Sequence, residues 1–314
     1  MESGLKMFPD GSQQKLEAEQ KLKKLSNESK IHLLKANTFY VRKRSSRLAS
    51  QKSKERESIA MDFQKNLPTP NITTNDIYYK RQLTVIMFNI HVLSSGDSYF
   101  YGYDETIAGK GADEVASFLF DFVMCKLEPA VTELDIFCDS CAGQNKNWTI
   151  FRMAHYLVHH VKRLVKVNMV FPIRGHSYLE CDRNMANVNQ NKWIELPSDW
   201  FDEFISSRAK PSPYVVIEVD KSLVRKWTEH FEQLYSKKCP FKSRPIREFV
   251  VERKHPRLMQ HRSTFNGHWD GDVVNKSGSV PREEDLLPQG EFLLPDPVYQ
   301  GNEHYIAIFC IKLR

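Results

Sequence analysis

Apolar residues at Val115, Phe118, Leu119, Phe122 and Val123 recur with the i, i+3, i+4, i+7, i+8 spacing of an amphipathic helix. Gly109-Lys-Gly111 opens that helix, and Asp113 and Glu114 fall in its first turn, where acids suit the helix dipole. Period-two or fully apolar runs predict strands on either side of it. They are Ile59–Phe63, Tyr78–Leu93, Ser98–Tyr103, Leu134–Cys138 and Lys166–Phe171. Ser94-Ser-Gly-Asp97 is a hairpin turn between the second and third of these. Trp148 to about Arg163, and Ser177 to about Asn189, read as two further helices. The order is β-β-β-α-β-α-β-α. A meander followed by alternating helices and strands predicts an α/β protein with a mixed sheet and helices on both faces.

The flanks are less regular. Residues 11–57 have no Pro, and no Gly after Gly11, and are rich in Lys, Glu, Gln, Leu and Ala, which favours helix. Their leucines are too thinly spaced for a coiled coil, so the segment is expected to pack loosely or to dock on something else. Tyr214–Val219 and Ile246–Glu252 read as strands, with a helix over Lys221–Tyr235 between them. Residues 256–301 are rich in Gly, Pro, Asn and Asp and read as mostly irregular, and His304–Leu313 is a strand-like tail. The expected divisions are a basic helical arm (1–58), a core (59–192), an α/β extension (193–255) and a mostly irregular tail (256–314).

The charge is uneven. Residues 1–58 hold 14 Lys/Arg and 7 Asp/Glu, so the net +6 of the 314-residue chain leaves −1 for the rest. The basic arm can touch nucleic acid or be a solvated helix. Arg42-Lys43-Arg44 with Arg47 is compatible with a nuclear address. No apolar run approaches the roughly 18 residues of a membrane span, and the N-terminus lacks a signal-peptide core. The six cysteines are sparse and irregular, which suggests reduced thiols in an intracellular protein.

The chemistry centres on Leu134–Asn147, where an apolar strand ends at Asp139 before a tight polar turn. A carboxylate at the C-terminal end of a strand is a usual place for α/β chemistry. The ribonuclease-H-like fold has the element order found here and carries acids on its first strand, fourth strand and last helix. Asp62, Asp139 and Asp182 fall on those elements. Three clustered carboxylates repel unless a divalent cation offsets them. Mg²⁺ or Mn²⁺ would suit, with Asp139 bridging two ions and Asp62 and Asp182 flanking them, for cleavage of a phosphodiester. Each acid alone can equally be a turn or cap residue. Gln144 and Asn145 can hold a phosphate or cap a helix that starts at about Asn145. His176 can carry a proton or serve as a structural hydrogen-bonder. Cys138 and Cys141 form one C-x-x-C, a weak zinc signal that would need Cys181 and His176 to complete it. Aromatics such as Tyr78, Tyr79, Tyr99, Phe100, Tyr101 and Tyr103 can stack bases or fill a core.

Three stretches carry a family resemblance: Leu67-Pro-Thr-Pro-Asn-Ile-Thr-Thr-Asn-Asp-Ile-Tyr-Tyr-Lys-Arg-Gln-Leu83, Asp139-Ser-Cys-x-Gly-Gln-Asn145 and Gly175-His-Ser-Tyr-Leu-x-x-Asp-Arg183. They resemble the DUF7869 family, a large transposon-derived group, over about residues 59–255. The resemblance implies a DDE-transposase-like core of ribonuclease-H type, a DNA partner and action as a homodimer. It implies either an active nuclease or a catalytically inactive binding remnant. Asn184-Met185-Ala186 departs from the phenylalanine and glycine that often follow Asp-Arg in that family.

Overall fold

The computed structural model describes residues 13–71, 82–188 and 192–274. Its strands are β1 (Arg56–Phe63), β2 (Leu67–Thr69), β3 (Leu83–Val92), β4 (Ser98–Asp104), β5 (Glu133–Cys138), β6 (Lys166–Val170), β7 (Val215–Glu218), β8 (Glu248–Glu252), β9 (Leu258–Arg262) and β10 (Asp270–Val273). Its α-helices are α1 (Gln13–Lys52), α2 (Ala112–Asp121), α3 (Trp148–His159), α4 (Glu180–Ala186), α5 (Pro197–Ser206) and α6 (Trp227–Leu234). A π-helical turn, Phe122–Lys126, extends α2. The expected strand before Leu83 and the tail strand at 304–313 lie outside the described residues.

All ten strands form one mixed sheet in the order β10-β9-β8-β6-β5-β1-β3-β4-β7, with β2 on β3. In its centre β1, β3 and β4 are consecutive antiparallel neighbours, while β5 runs parallel to β1 and β6 parallel to β5. Strand alternation sends successive side chains to opposite faces. Ile59, Met61, Phe88, Ile90, Ile136 and Met169 enter one core with α2, α3 and α6. Ala60, Met87, Phe100, Phe137 and Val170 enter a second core with α4, α5 and Phe39 of α1. The sheet is thus covered on both faces, and its central strands are mostly buried. Among the described residues no helix is long and apolar enough to cross a membrane.

Several sequence-based expectations change. The arm does not pack loosely throughout. The second half of α1 lies on the sheet: Phe39 is fully buried, Ser46 Oγ donates to Asp135 at 2.7 Å, and Arg42 pairs with Glu248 at 2.7 Å. Asp135 is buried and also accepts from Arg56 and Asn168, which satisfies an otherwise costly charge. The third helix is shorter than expected, starting at Glu180, because Gly175 and Tyr178 take left-handed backbone angles. The stretch expected to be mostly irregular contains β9 and β10. The segment 197–206 forms α5, opened by Pro197 and held by Trp200, Phe201 and Phe204. The meander aromatics Phe100, Tyr101 and Tyr103 are core residues, and Tyr101 stacks on Phe118 at 4.8 Å.

One feature of the first core bears on pH. His155 and His159 of α3 and His160 just beyond it face the α6 region: His155 and His160 meet Tyr235, His230 packs on Tyr156, and the His155 and His159 rings are 4.4 Å apart. Burial pushes His159 and His160 down to about 4, and burial followed by neighbouring histidine charge lowers His155 well below its usual value. These groups are neutral in the folded state and protonate more readily when unfolded. Their stabilisation is complete above the unfolded value near 6.5 and is lost as pH falls toward 4. In Asp62→Asn, which removes the opposing titration of that acid, the melting temperature is expected to drop by roughly 10 °C between pH 7 and pH 5. Differential scanning calorimetry across that range checks it, and a flat profile would contradict it.

Candidate active site

Parallel pairing of β1 with β5 runs to Met61↔Cys138. Asp62 and Asp139 are the next residues on adjacent strands, which stand about 4.8 Å apart. Asp182 lies in the first turn of α4, on the sheet face that also takes Ala60 and Phe137. The three carboxylates sense one another through Asp62. Burial first, then the charge of Asp139 and, less strongly, that of Asp182 raise its pKa to about 7. The Phe63 amide, donating to Asp62 Oδ1 at 2.7 Å, and the charge of Lys110 act in the opposite direction.

Each acid is also held locally. Asp139 Oδ1 accepts from the Cys141 amide at 3.1 Å and from Asn145 Nδ2 at 2.7 Å. Asp182 Oδ2 accepts from the Leu179 amide at 3.0 Å, capping its own helix. The donor set is all oxygen, the chemistry that suits Mg²⁺ or Mn²⁺. Burial and then repulsion by Asp139 and Asp182 raise the Asp62 pKa, and a cation would offset both. As the side chains stand, no three His, Cys, Asp or Glu among the described residues close into a cation-holding group. The acids are coupled without forming a finished cage.

The surrounding residues explain how the acids are held. Asn145 is fully buried and anchors Asp139, while its Oδ1 has no hydrogen-bond partner among the described residues. It does not start the helix: its amide and that of Lys146 donate to Cys141 O, and Asn147 caps α3 by accepting from the Ile150 amide at 3.1 Å. Gln144 Nε2 reaches Lys110 O at 3.3 Å. Lys110 Nζ donates to Gln64 O at 2.6 Å and to Asn66 Oδ1 at 3.0 Å, and stands over the Phe63 ring. Lys146 is buried, donates to the carbonyls of Arg244 and Ile246, and thereby pins the turn to the segment before β8.

A buried polar network fixes α4. Asn184 Nδ2 lies within hydrogen-bond distance of Asn89 Oδ1 (3.1 Å), Ser98 Oγ (2.9 Å) and His91 Nδ1 (3.1 Å), and Tyr214 OH donates to Asn184. Asn89 is the cross-strand partner of Asp62. Asn184 is therefore the anchor of the helix that carries Asp182.

His176 is placed differently from the acids. Its ring lies 4.8 Å from that of His32 and 6.4 Å from that of Tyr178, and its carbonyl accepts from Tyr40 OH at 3.1 Å, so it packs against α1. Cys138 is fully buried in the core and burial pushes its thiol well above the usual range, so it stays protonated and packs as an apolar side chain. The set Cys138, Cys141, Cys181 and His176 does not assemble into a metal group among the described residues. Sequence reasoning missed Lys110, Asn89 and Asn184 as site residues. Asn89 left a readable signal, a lone amide within the apolar run of β3, whereas Lys110 left none. Compared with protein-family models, with curated proteins and with solved structures, the chain matches none.

Proposed function

We propose that this chain is a transposon-derived, ribonuclease-H-like protein that cleaves or transfers phosphodiester strands in a divalent-cation-dependent reaction through Asp62, Asp139 and Asp182. The observation that carries the reading is the placement of Asp62 and Asp139 as the residues that follow the last pair of the β1–β5 ladder, with Asp182 in the first turn of α4. The central strand order β4-β3-β1-β5-β6, with its antiparallel and then parallel pairings, supports the ribonuclease-H-like assignment. The motif resemblance to DUF7869 points the same way, and with it to DNA as substrate and a homodimer, while the basic cluster Arg42-Lys43-Arg44 with Arg47 suits a nuclear site of action.

In this reading Asp62, Asp139 and Asp182 hold Mg²⁺ or Mn²⁺. The cation supplies charge neutralisation and polarisation of a phosphate oxygen and a water. Asn145 orients Asp139, the Asn89–Asn184 network sets α4, and Lys110 brings positive charge beside Asp62. Gln144 lies on the same turn, within reach of a phosphate group. His176 remains a proton carrier only if its ring leaves His32.

The second reading is a catalytically inactive nucleic-acid-binding or interaction remnant. It is favoured by the lack of a closed three-ligand group among the described residues. Labelled DNA and RNA, incubated with Mg²⁺ or Mn²⁺ and either the wild type or Asp139→Asn, separate the two. The active reading expects cleavage that falls by at least about 10³-fold in the variant. Equal cleavage by both proteins removes Asp139 from the mechanism, and no cleavage with retained binding selects the remnant.

A further inference from the structure

A groove of about 520 Å³ runs between α1 and α4, walled by Asn37, Lys43, Arg44 and Arg47 of α1, Leu93 beyond β3, and Glu180. It lies beside the acids. Glu180 is two residues before Asp182, and the buried Cys181 between them feels the charges of both Asp62 and Lys43.

The groove is strongly cationic. From Lys30 to Lys52 the helix carries seven Lys/Arg and no Asp/Glu. Lys43 is occupied, donating to Tyr178 O at 2.9 Å and pairing with Glu180 at 3.0 Å. Arg44 and Arg47 are exposed, and the described residues give them no hydrogen bond or ion pair. They stand three residues apart on one helix face, about 5–6 Å between Cβ atoms. Arg183 on α4 is also exposed and makes only a 3.9 Å approach to Glu180, the residue that closes the groove. Arg208, after α5, is occupied: it donates to the carbonyls of Ser212 and Gly96 and stands over the Tyr214 ring. A merely solvated charge run along one helix would not meet an exposed arginine from a second element.

The same helix exposes Leu34, Val41 and Leu48 at seven-residue spacing, with exposures of 66%, 63% and 49%. That stripe alone suggests self-pairing, but a second copy would bring seven more cations against it with no acids to match. The complementary partner is anionic and extended.

We propose that this groove binds the sugar–phosphate backbone of a nucleic acid, with Arg44, Arg47 and Arg183 on phosphates, and leads the strand to Asp182, Asp62 and Asp139. The inference rests on the proposed function and names its substrate-binding surface. Phosphate contacts of this kind give affinity and register without sequence readout.

The test is fluorescence anisotropy of 20-nucleotide single-stranded DNA, duplex DNA and single-stranded RNA in EDTA, over a salt series, with the full chain. The proteins are wild type, Arg44→Glu/Arg47→Glu and, on the opposite face of the sheet, Lys237→Glu/Lys238→Glu. The groove variant is expected to bind about tenfold or more weakly, with a salt slope reduced by about 2, and the control to stay within about twofold. Equal melting temperatures establish that the exposed substitutions leave the fold intact. A groove variant within about twofold of wild type overturns the proposal while leaving a cleavage activity standing. Failure of wild type to bind any probe overturns both readings. Groove-dependent binding of a polyglutamate peptide but of no nucleic acid also overturns it, in favour of an acidic protein. Groove-dependent nucleic-acid binding without cleavage in Mg²⁺ keeps the groove and removes only the catalytic reading.

Discussion

Asp62→Asn is expected to make the protein more stable at pH 8 while abolishing any cleavage. The Asp62 carboxyl titrates at about 7 in the folded chain against an ordinary 3.8, first because it is buried and then because Asp139 and Asp182 repel it. A raised folded pKa means that the folded state binds the proton more tightly than the unfolded one. Wild-type stability contributed by this group is therefore present below about pH 4 and is lost as pH rises to about 7. The full shift corresponds to roughly 4 kcal/mol at 1.36 kcal/mol per unit, and solvent relaxation brings the expected gain at pH 8 to about 1–3 kcal/mol. The gain should vanish near pH 4. Asparagine keeps the shape and removes the charge, so paired urea melts at pH 4 and pH 8 read the difference directly. A variant less stable than wild type at pH 8 would show that Asp62 is held as a structural acceptor. Stability gained by deleting a group that chemistry requires is the usual trade at a functional site.

Phe39→Ala is expected to cost about 3–5 kcal/mol and to free α1 from the sheet. Phe39 is fully buried, meets Phe137 edge-on at 5.9 Å and lies 6.4 Å from Phe265. Phe137 is two residues before Asp139, so the helix that lines the cationic groove rests on the strand that presents a central acid. The loss should appear in a urea melt and as faster proteolytic nicking between residues 13 and 52. Leu34→Ala, on the exposed side of the same helix, should stay within about 0.5 kcal/mol of wild type. A Phe39→Ala loss below about 1 kcal/mol would mean that α1 is held by its ion pairs instead.

The central sheet was legible because its strands are buried on both faces. Leu134–Cys138 is apolar but for Asp135, Lys166–Val170 alternates with Val167, Met169 and Val170 buried, and the five apolar positions from Val115 to Val123 have helical spacing. The position of Asp139 was legible for a related reason: a carboxylate where an apolar strand ends is visible without knowing its neighbours, whereas Asp62 and Asp182 were singled out by the element order of the ribonuclease-H-like fold. What remained hidden depends on distant pairings. Asn145 holding Asp139 is local but looks like a helix cap. Asn184 bonding to Asn89 and Ser98, and Lys110 reaching Gln64 and Asn66, join residues 44 to 95 apart in sequence. β10, Asp270-Gly-Asp-Val273, is mostly exposed and has no apolar pattern, so only its ladder with β9 makes it a strand. The docking of α1 was hidden because only Ala36, Phe39, Ser46 and Ser50 are buried in it, two of them serines whose hydroxyls bond inward.

The central claim is that Asp62, Asp139 and Asp182 form one cation site. The most direct measurement is the melting temperature at pH 8 in millimolar Mg²⁺ against EDTA, for wild type and for Asp62→Asn, Asp139→Asn and Asp182→Asn. A cation that binds the folded chain stabilises it by RT ln(1 + [L]/Kd), about 2.7 kcal/mol at a hundredfold excess over Kd. The account predicts a wild-type rise of several degrees that is lost in each variant. No rise in wild type, or an equal rise in all four proteins, would contradict it and leave the three acids as turn and cap residues.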